Sequence, residues 1–180
     1  MKKYLSVIPL VFLLCFVVGC QDKAAMAELE EFKAQAALEE QNKELVNRLM
    51  EELNRGNIEM WRQVCAPEFA YYSPSNVPEP MSVDYTIECF QMAFKGFPDI
   101  NWETPELIAK GDEVIARFIQ RGTHEGEFRG IPVSGNKIEF GVISIFHIKE
   151  GKIVEIREEY DGLGFMMQLG MELKPKEAKK

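Results

Sequence analysis

The sequence predicts an α+β domain, a cone-shaped curved antiparallel sheet covered by N-terminal helices. Three observations carry this. Apolar residues recur with helical spacing only before Pro98. After Pro98 come four long runs rich in Ile, Val, Phe, Thr and Tyr. Three tight turn sequences separate these runs: Lys110-Gly111-Asp112, Ser134-Gly135-Asn136 and Glu150-Gly151. Connections that short make strands antiparallel, because parallel neighbours need a crossover of about a dozen residues or more. A curved sheet closed on one side by helices encloses a pocket.

The chain opens on MKKYLSVIPLVFLLCFVVGC. Lys2 and Lys3 form a basic leader, Leu5 to Val18 an apolar stretch interrupted by Ser6 and Pro9, and Gly19 is a small residue before Cys20, as lipoprotein processing needs. The apolar stretch falls short of the roughly 20 residues that cross a bilayer. Residues 1–19 are therefore expected to be a signal peptide and Cys20 the lipid-modified N-terminus. The expected address is the cell envelope, lipid-anchored and facing the periplasm or the extracellular side. In a Gram-negative cell, Gln21 rather than Asp after the cysteine favours the outer membrane.

Residues 20–41 are rich in Ala, Glu, Lys and Gln and read as a helical stalk or linker. From Asn42 an apolar stripe of Leu45, Leu49 and Leu53, flanked by Val46 and Met50, marks the start of the folded domain, 42–173, and Asn54-Arg55-Gly56 stops that helix. A short helix over Ile58 to Cys65 ends before Pro67. Phe69 to Ser73 reads as a strand and Pro74 to Pro80 as a loop. Ser82 caps a helix to Lys95 whose inner face is Ile87, Phe90 and Phe94. The strands follow over Asn101 to Ala109, Glu113 to Thr123, Lys137 to Lys149 and Lys152 to Tyr160. Leu163 to Leu173 is an apolar segment placed to pack over the cone mouth, and 174–180 is a charged tail.

The chain has 21 basic and 29 acidic residues, a formal charge of −8. Only Lys2 and Lys3 of these lie in the leader, so the mature chain is more acidic still. That balance argues against a nucleic-acid partner, whose phosphates need clustered Lys and Arg. Of four cysteines, Cys15 lies in the leader and Cys20 carries lipid. Cys65 and Cys89 are left, either as a disulfide or, since both fall in helix-like segments, as packed thiols. With two histidines, His124 and His147, and no CxxC or HExxH, the sequence offers no metal motif.

The run from Gly122 to Gly170 contains GTHxGEFxGIPxxG, FxIxxGKIVE and DxLGxxxQLG, and upstream stand NKELVNRLMEELNRGNIE and APEFAYYSP. In this order these motifs resemble the SnoaL-like polyketide (ester) cyclases of the nuclear transport factor 2-like superfamily, from Asn42 to Leu173. The resemblance implies a ring closure by intramolecular aldol condensation, without metal or cofactor, by a carboxylate acid/base in a largely apolar pocket. By motif, the acid/base falls on Asp161. His124 matches the histidine of GTH, and Tyr72 stands where many relatives carry histidine.

Removing a proton beside a carbonyl needs a carboxylate whose pKa is raised by desolvation and a donor for the enolate oxygen. Asp161 is the expected base and His124 or Tyr72 the expected donor. Trp61, Phe90, Phe94, Trp102, Phe118 and Phe140 are candidate walls. Strand alternation puts Glu155, Arg157, Glu159 and Asp161 on one face and Val154, Ile156, Glu158 and Tyr160 on the other. If the first face lines the pocket, Arg157 grips an anionic substrate group beside Glu159; otherwise this edge faces solvent. Two further readings remain beside an enzyme acting on a small hydrophobic or carbonyl-containing ligand: a non-catalytic binding domain, and an interaction protein forming a homodimer through the outer sheet face.

Overall fold

A computed structural model describes residues 8–174, with side chains from Lys23 onward. Helix α1 (Ile8–Asn54) passes through two units, divided after Leu38. Lys2 and Lys3 and the side chain of Cys20 lie outside the described residues. Among the described residues no helix is long and apolar enough to cross a membrane. In the first unit Met26, Leu29, Phe32 and Leu38 are exposed, and Glu30 and Lys33, one turn apart, pair at 3.1 Å.

The second unit, from Glu39, holds the core. Val46, Leu49 and Leu53 on one face of α1 are fully buried. The helix ends in a Schellman arrangement, with Gly56 at φ +81°, its N–H on the Leu53 carbonyl and the Asn57 N–H on that of Glu52. Three side chains dock this helix on the sheet. Glu39 and Asn42 clasp the main chain of Gly111. Asn54 makes a reciprocal pair with the backbone of Trp102, both bonds 2.8 Å.

Helix α2 (Met60–Val64) buries Met60, Trp61 and Val64. It stops short of the expected Cys65, which already opens β1 (Cys65–Tyr72). Pro67 is the physical reason: it cannot continue the helix, whereas an edge strand tolerates it at an irregularity, and the register shifts between Cys65 and Ala70. Cys65 and Cys89 are free thiols, and burial pushes the Cys65 thiol up to about 12. Helix α3 (Val83–Gly96) starts at Ser82, whose side chain accepts from the Tyr85 N–H, and buries Thr86 and Ile87.

Strands β2 (Asn101–Lys110), β3 (Glu113–Thr123), β4 (Lys137–Lys149) and β5 (Lys152–Tyr160) form the expected antiparallel meander. The sheet order is β1-β5-β4-β3-β2, and β1 adds to β5 in parallel. The meander expectation holds for β2 to β5; the fifth, parallel strand reaches its place through the α3 crossover. Bulges curve the sheet. One lies in β2 between Glu103 and Glu106, and in β5 Val154 is the extra residue opposite the His147–Ile148 step. The core lies between the helices and the inner sheet face, where Val114, Ala116, Val142, Phe146 and Ile156 are buried. Helix α4 (Gly162–Gln168) follows β5 and buries Phe165.

Candidate active site

A cavity of about 170 Å³ opens between the helices and the inner sheet face. Its walls are largely aromatic. Trp61 of α2 packs on Phe90 of α3 at 5.0 Å between ring centroids, and Phe90 meets Trp102 of β2 edge-on at 5.8 Å. Phe118 of β3 and Phe140 of β4 continue the lining, and Phe165 of α4 lies 4.9 Å from Phe140.

Set into this apolar wall is one carboxyl group, Glu158. Three hydroxyls hold it. Tyr71 of β1 donates at 2.5 Å and Ser144 of β4 at 3.0 Å to Oε2, while Ser73 donates at 2.9 Å to Oε1. The fold brings these groups together because Ser144 sits directly opposite Glu158 in the β4–β5 register, and β1 lies along the other edge of β5. Burial pushes the Glu158 carboxyl above its ordinary value, although the three hydroxyls pull the other way. Burial and the nearby Glu158 charge also hold Tyr71 well above the usual phenol range, so it stays a donor. A carboxylate offers about four acceptor positions. Three are taken here, which leaves room for one contact to a ligand.

The expected site residues divide sharply. Trp61 and Phe118 line the cavity. Trp61 is 2 % exposed, and its indole Nε1, closed off from solvent, has no partner among the described residues. Tyr72, Arg157 and Glu159 gather on the outer face instead. Arg157 grips Glu155 through two bonds of 2.7 and 3.2 Å and stacks 4.5 Å from the centre of the Tyr72 ring, while Glu159 accepts from the main chain and hydroxyl of Ser75. The charged face of β5 thus points away from the cavity, and Ile156, Glu158 and Tyr160 point in. This corrects the expectation that put Arg157 and Glu159 in the pocket.

Asp161 and His124 also lie outside the lining. Asp161 is exposed and caps α4, its Oδ1 accepting from the Gly164 N–H at 2.8 Å. His124 is fully buried behind Phe97, ring centroids 5.1 Å apart, with Nδ1 3.0 Å from the Ser134 hydroxyl. Its main chain pairs with Asn136 and Gly135, which ties the β3–β4 loop together. Gly126 of the same motif is needed for close approach: a Cβ there would stand 2.0 Å from the Lys95 carbonyl. Among the described residues no group of three His, Cys, Asp or Glu side chains is placed to hold a metal.

Sequence reasoning missed Glu158, Tyr71, Ser73 and Ser144 as a group. One signal was available. Ser144 is the lone hydroxyl on the inward positions of β4, between Val142 and Phe146, and a polar residue in such a row calls for a buried partner.

A helix-covered, curved five-stranded sheet enclosing an aromatic cavity with a single, half-buried carboxyl in its wall defines a domain of the nuclear transport factor 2-like class. The chain belongs to the SnoaL-like polyketide cyclase family, whose model matches residues 44–169. Among solved structures, a candidate SnoaL-like polyketide cyclase from Jannaschia sp. CCS1 is 26% identical with a TM-score of 0.65, over 76% of this chain and 96% of that one. IdmH, a candidate polyketide cyclase from Streptomyces antibioticus, is 26% identical with a TM-score of 0.62, over 72% and 99%. AclR, a candidate hydroxylase from Streptomyces galilaeus, shares the fold at 23% identity and a TM-score of 0.67, over 73% and 97%. No curated protein sequence matches the chain.

Proposed function

We propose that this protein is an acid/base catalyst that removes and returns a proton beside the carbonyl of a small hydrophobic compound, as in aldol cyclisation, isomerisation or dehydration. The observation that carries this reading is Glu158, a carboxyl lifted by burial and steadied by three hydroxyls inside an aromatic cavity. The acid/base role that the motif assigned to Asp161 falls on Glu158. In its ionised form Glu158 takes the proton from carbon through the acceptor position left open. The donor to the developing enolate oxygen, in place of His124 or Tyr72, is the Trp61 N–H, which has no partner and which ligand entry must uncover. The aromatic walls exclude water, which strengthens both interactions.

Deuterium uptake at the methyl group of acetophenone in D₂O, followed by NMR, tests this without knowledge of the natural substrate. The wild type is expected to exchange faster than buffer, and Glu158→Gln to lose about 10² to 10⁴ of that rate with the fold intact by circular dichroism. Equal rates in the two proteins would remove the proposal.

Anchoring of the chain to the cell envelope by lipid on Cys20 is part of this proposal, supported by the VVGC tetrapeptide. Radiolabelled palmitate should enter the wild type and not Cys20→Ala. Pairing of two copies through the outer sheet face is supported by Ile108, Ile115 and Ile145, which lie side by side across β2, β3 and β4 and are all exposed. Light scattering should give twice the monomer mass, and Ile115→Lys should halve it.

A further inference from the structure

We propose that the ligand of this cavity carries a carboxylate, bound at the cavity mouth by Arg129. The inference rests on the reading of the cavity as a ligand site. Arg129 is exposed and also lines the cavity, which places it at the rim, and it is the one cationic side chain in the lining. Arg55, Arg62, Arg121 and Arg157 each pair with a carboxylate. Arg129 has no carboxylate partner among the described residues; its guanidinium lies 5.3 Å from the centre of the Phe128 ring, and its charge pulls the Cys89 thiol down against the effect of burial. Phe128 and Cys89 both line the same cavity.

The backbone adds a second observation. Phe128 and Ile131 exchange main-chain hydrogen bonds of 3.1 and 2.9 Å around a two-residue turn. Arg129 stands at φ 50° and Gly130 at φ 79°. Such a turn favours Asn, Asp or Gly at its first position, so a long cationic side chain there is held against local preference, as functional residues often are. The formal charge of −8 gives an anion no general attraction to this protein. A forked guanidinium on an aromatic ledge supplies that attraction locally and suits a carboxylate. A cavity of about 170 Å³ takes one ring, since roughly 150 Å³ of apolar space accepts benzene. The ligand class is thus a ring-sized apolar carbonyl compound with an acidic arm reaching the rim.

The chain has two tryptophans, Trp61 and Trp102, and both line the cavity, so intrinsic fluorescence reports its occupation. Full-length protein is titrated with 4-phenylbutanoate and with its amide. The carboxylate should bind about tenfold more tightly than the amide in the wild type. Arg129→Gln should erase that preference while keeping amide binding, and Arg129→Lys should keep part of it. Equal affinities in the wild type, an undiminished preference in Arg129→Gln, or no saturable binding of either compound overturns the proposal. Glu158→Gln should keep the carboxylate preference while losing deuterium exchange, so this inference and the catalytic reading fail separately.

Discussion

Glu158 and Glu159 are neighbours in the chain and opposites in the fold. Glu158 faces the aromatic cavity, bound by Tyr71, Ser73 and Ser144, and burial lifts its pKa. Glu159 faces outward, accepts from Ser75 and stands across from Ile143 on the outer side of the sheet. The same side chain becomes a candidate base in one place and a surface group in the other. Strand alternation separates the two by a single residue, and the environment on each face does the rest.

The largest test of that contrast is kinetic. Deuterium exchange should collapse in Glu158→Gln and stay at the wild-type rate in Glu159→Gln; comparable losses in both would dissolve the distinction between the faces.

A pH series sharpens it. Glu158 is raised above its ordinary 4.5, so the folded protein holds this proton more tightly than the unfolded chain does. The stabilisation from the protonated form is therefore complete below 4.5 and is lost as pH rises through the raised folded value. Urea melts should show the wild type losing stability relative to Glu158→Gln as pH climbs across that window, and exchange activity should rise over the same window as the base form appears. Stability curves that stay parallel at every pH would contradict a raised carboxyl.

The next contrast sets Asp161 against Glu158. Removing the α4 cap in Asp161→Ala should lower stability by about 1 kcal/mol, visible as a small drop in Tm, with exchange retained. A loss of exchange as deep as that of Glu158→Gln would return the catalytic role to Asp161.

The smallest effect concerns the thiols. Cys65 is buried, with its thiol pushed up to about 12, so iodoacetamide should modify it only after unfolding. Cys89 is half-buried on the cavity wall and should react slowly in the native protein, more slowly still with 4-phenylbutanoate bound. Peptide mapping by mass spectrometry separates the two sites, and ligand-insensitive labelling of Cys89 would detach it from the pocket.

Much of the fold was legible because local chemistry repeats along each element. β3, β4 and β5 begin and end at the expected residues, since Gly-containing turns bound runs of β-branched and aromatic side chains. Ser82 caps α3 as its place before the apolar period implied. The site was legible only in part. Trp61 and Phe118 were found as walls, because large aromatics in a small domain have few places to go. Glu158 was not found, because an alternating strand has two faces and the charged side of β5 looked as chemically promising as the other.

The sequence by itself determined the α+β class, the order of elements and the acidic character of the chain, which are written in spacing and composition, and its ordered motifs carried the resemblance to the family. Tertiary structure alone decided which face of β5 turns inward, and the bulge at Val154 set that choice: Ile153 is buried before it and Ile156 after it, so the alternation changes phase between them. Tertiary structure also decided that β1 runs parallel beside β5, which carries Tyr71 and Ser73 to Glu158 from a segment more than eighty residues away. Neither the phase of a bulged strand nor a contact of that separation is encoded in a local pattern, because both depend on which neighbour the strand pairs with after the chain has folded.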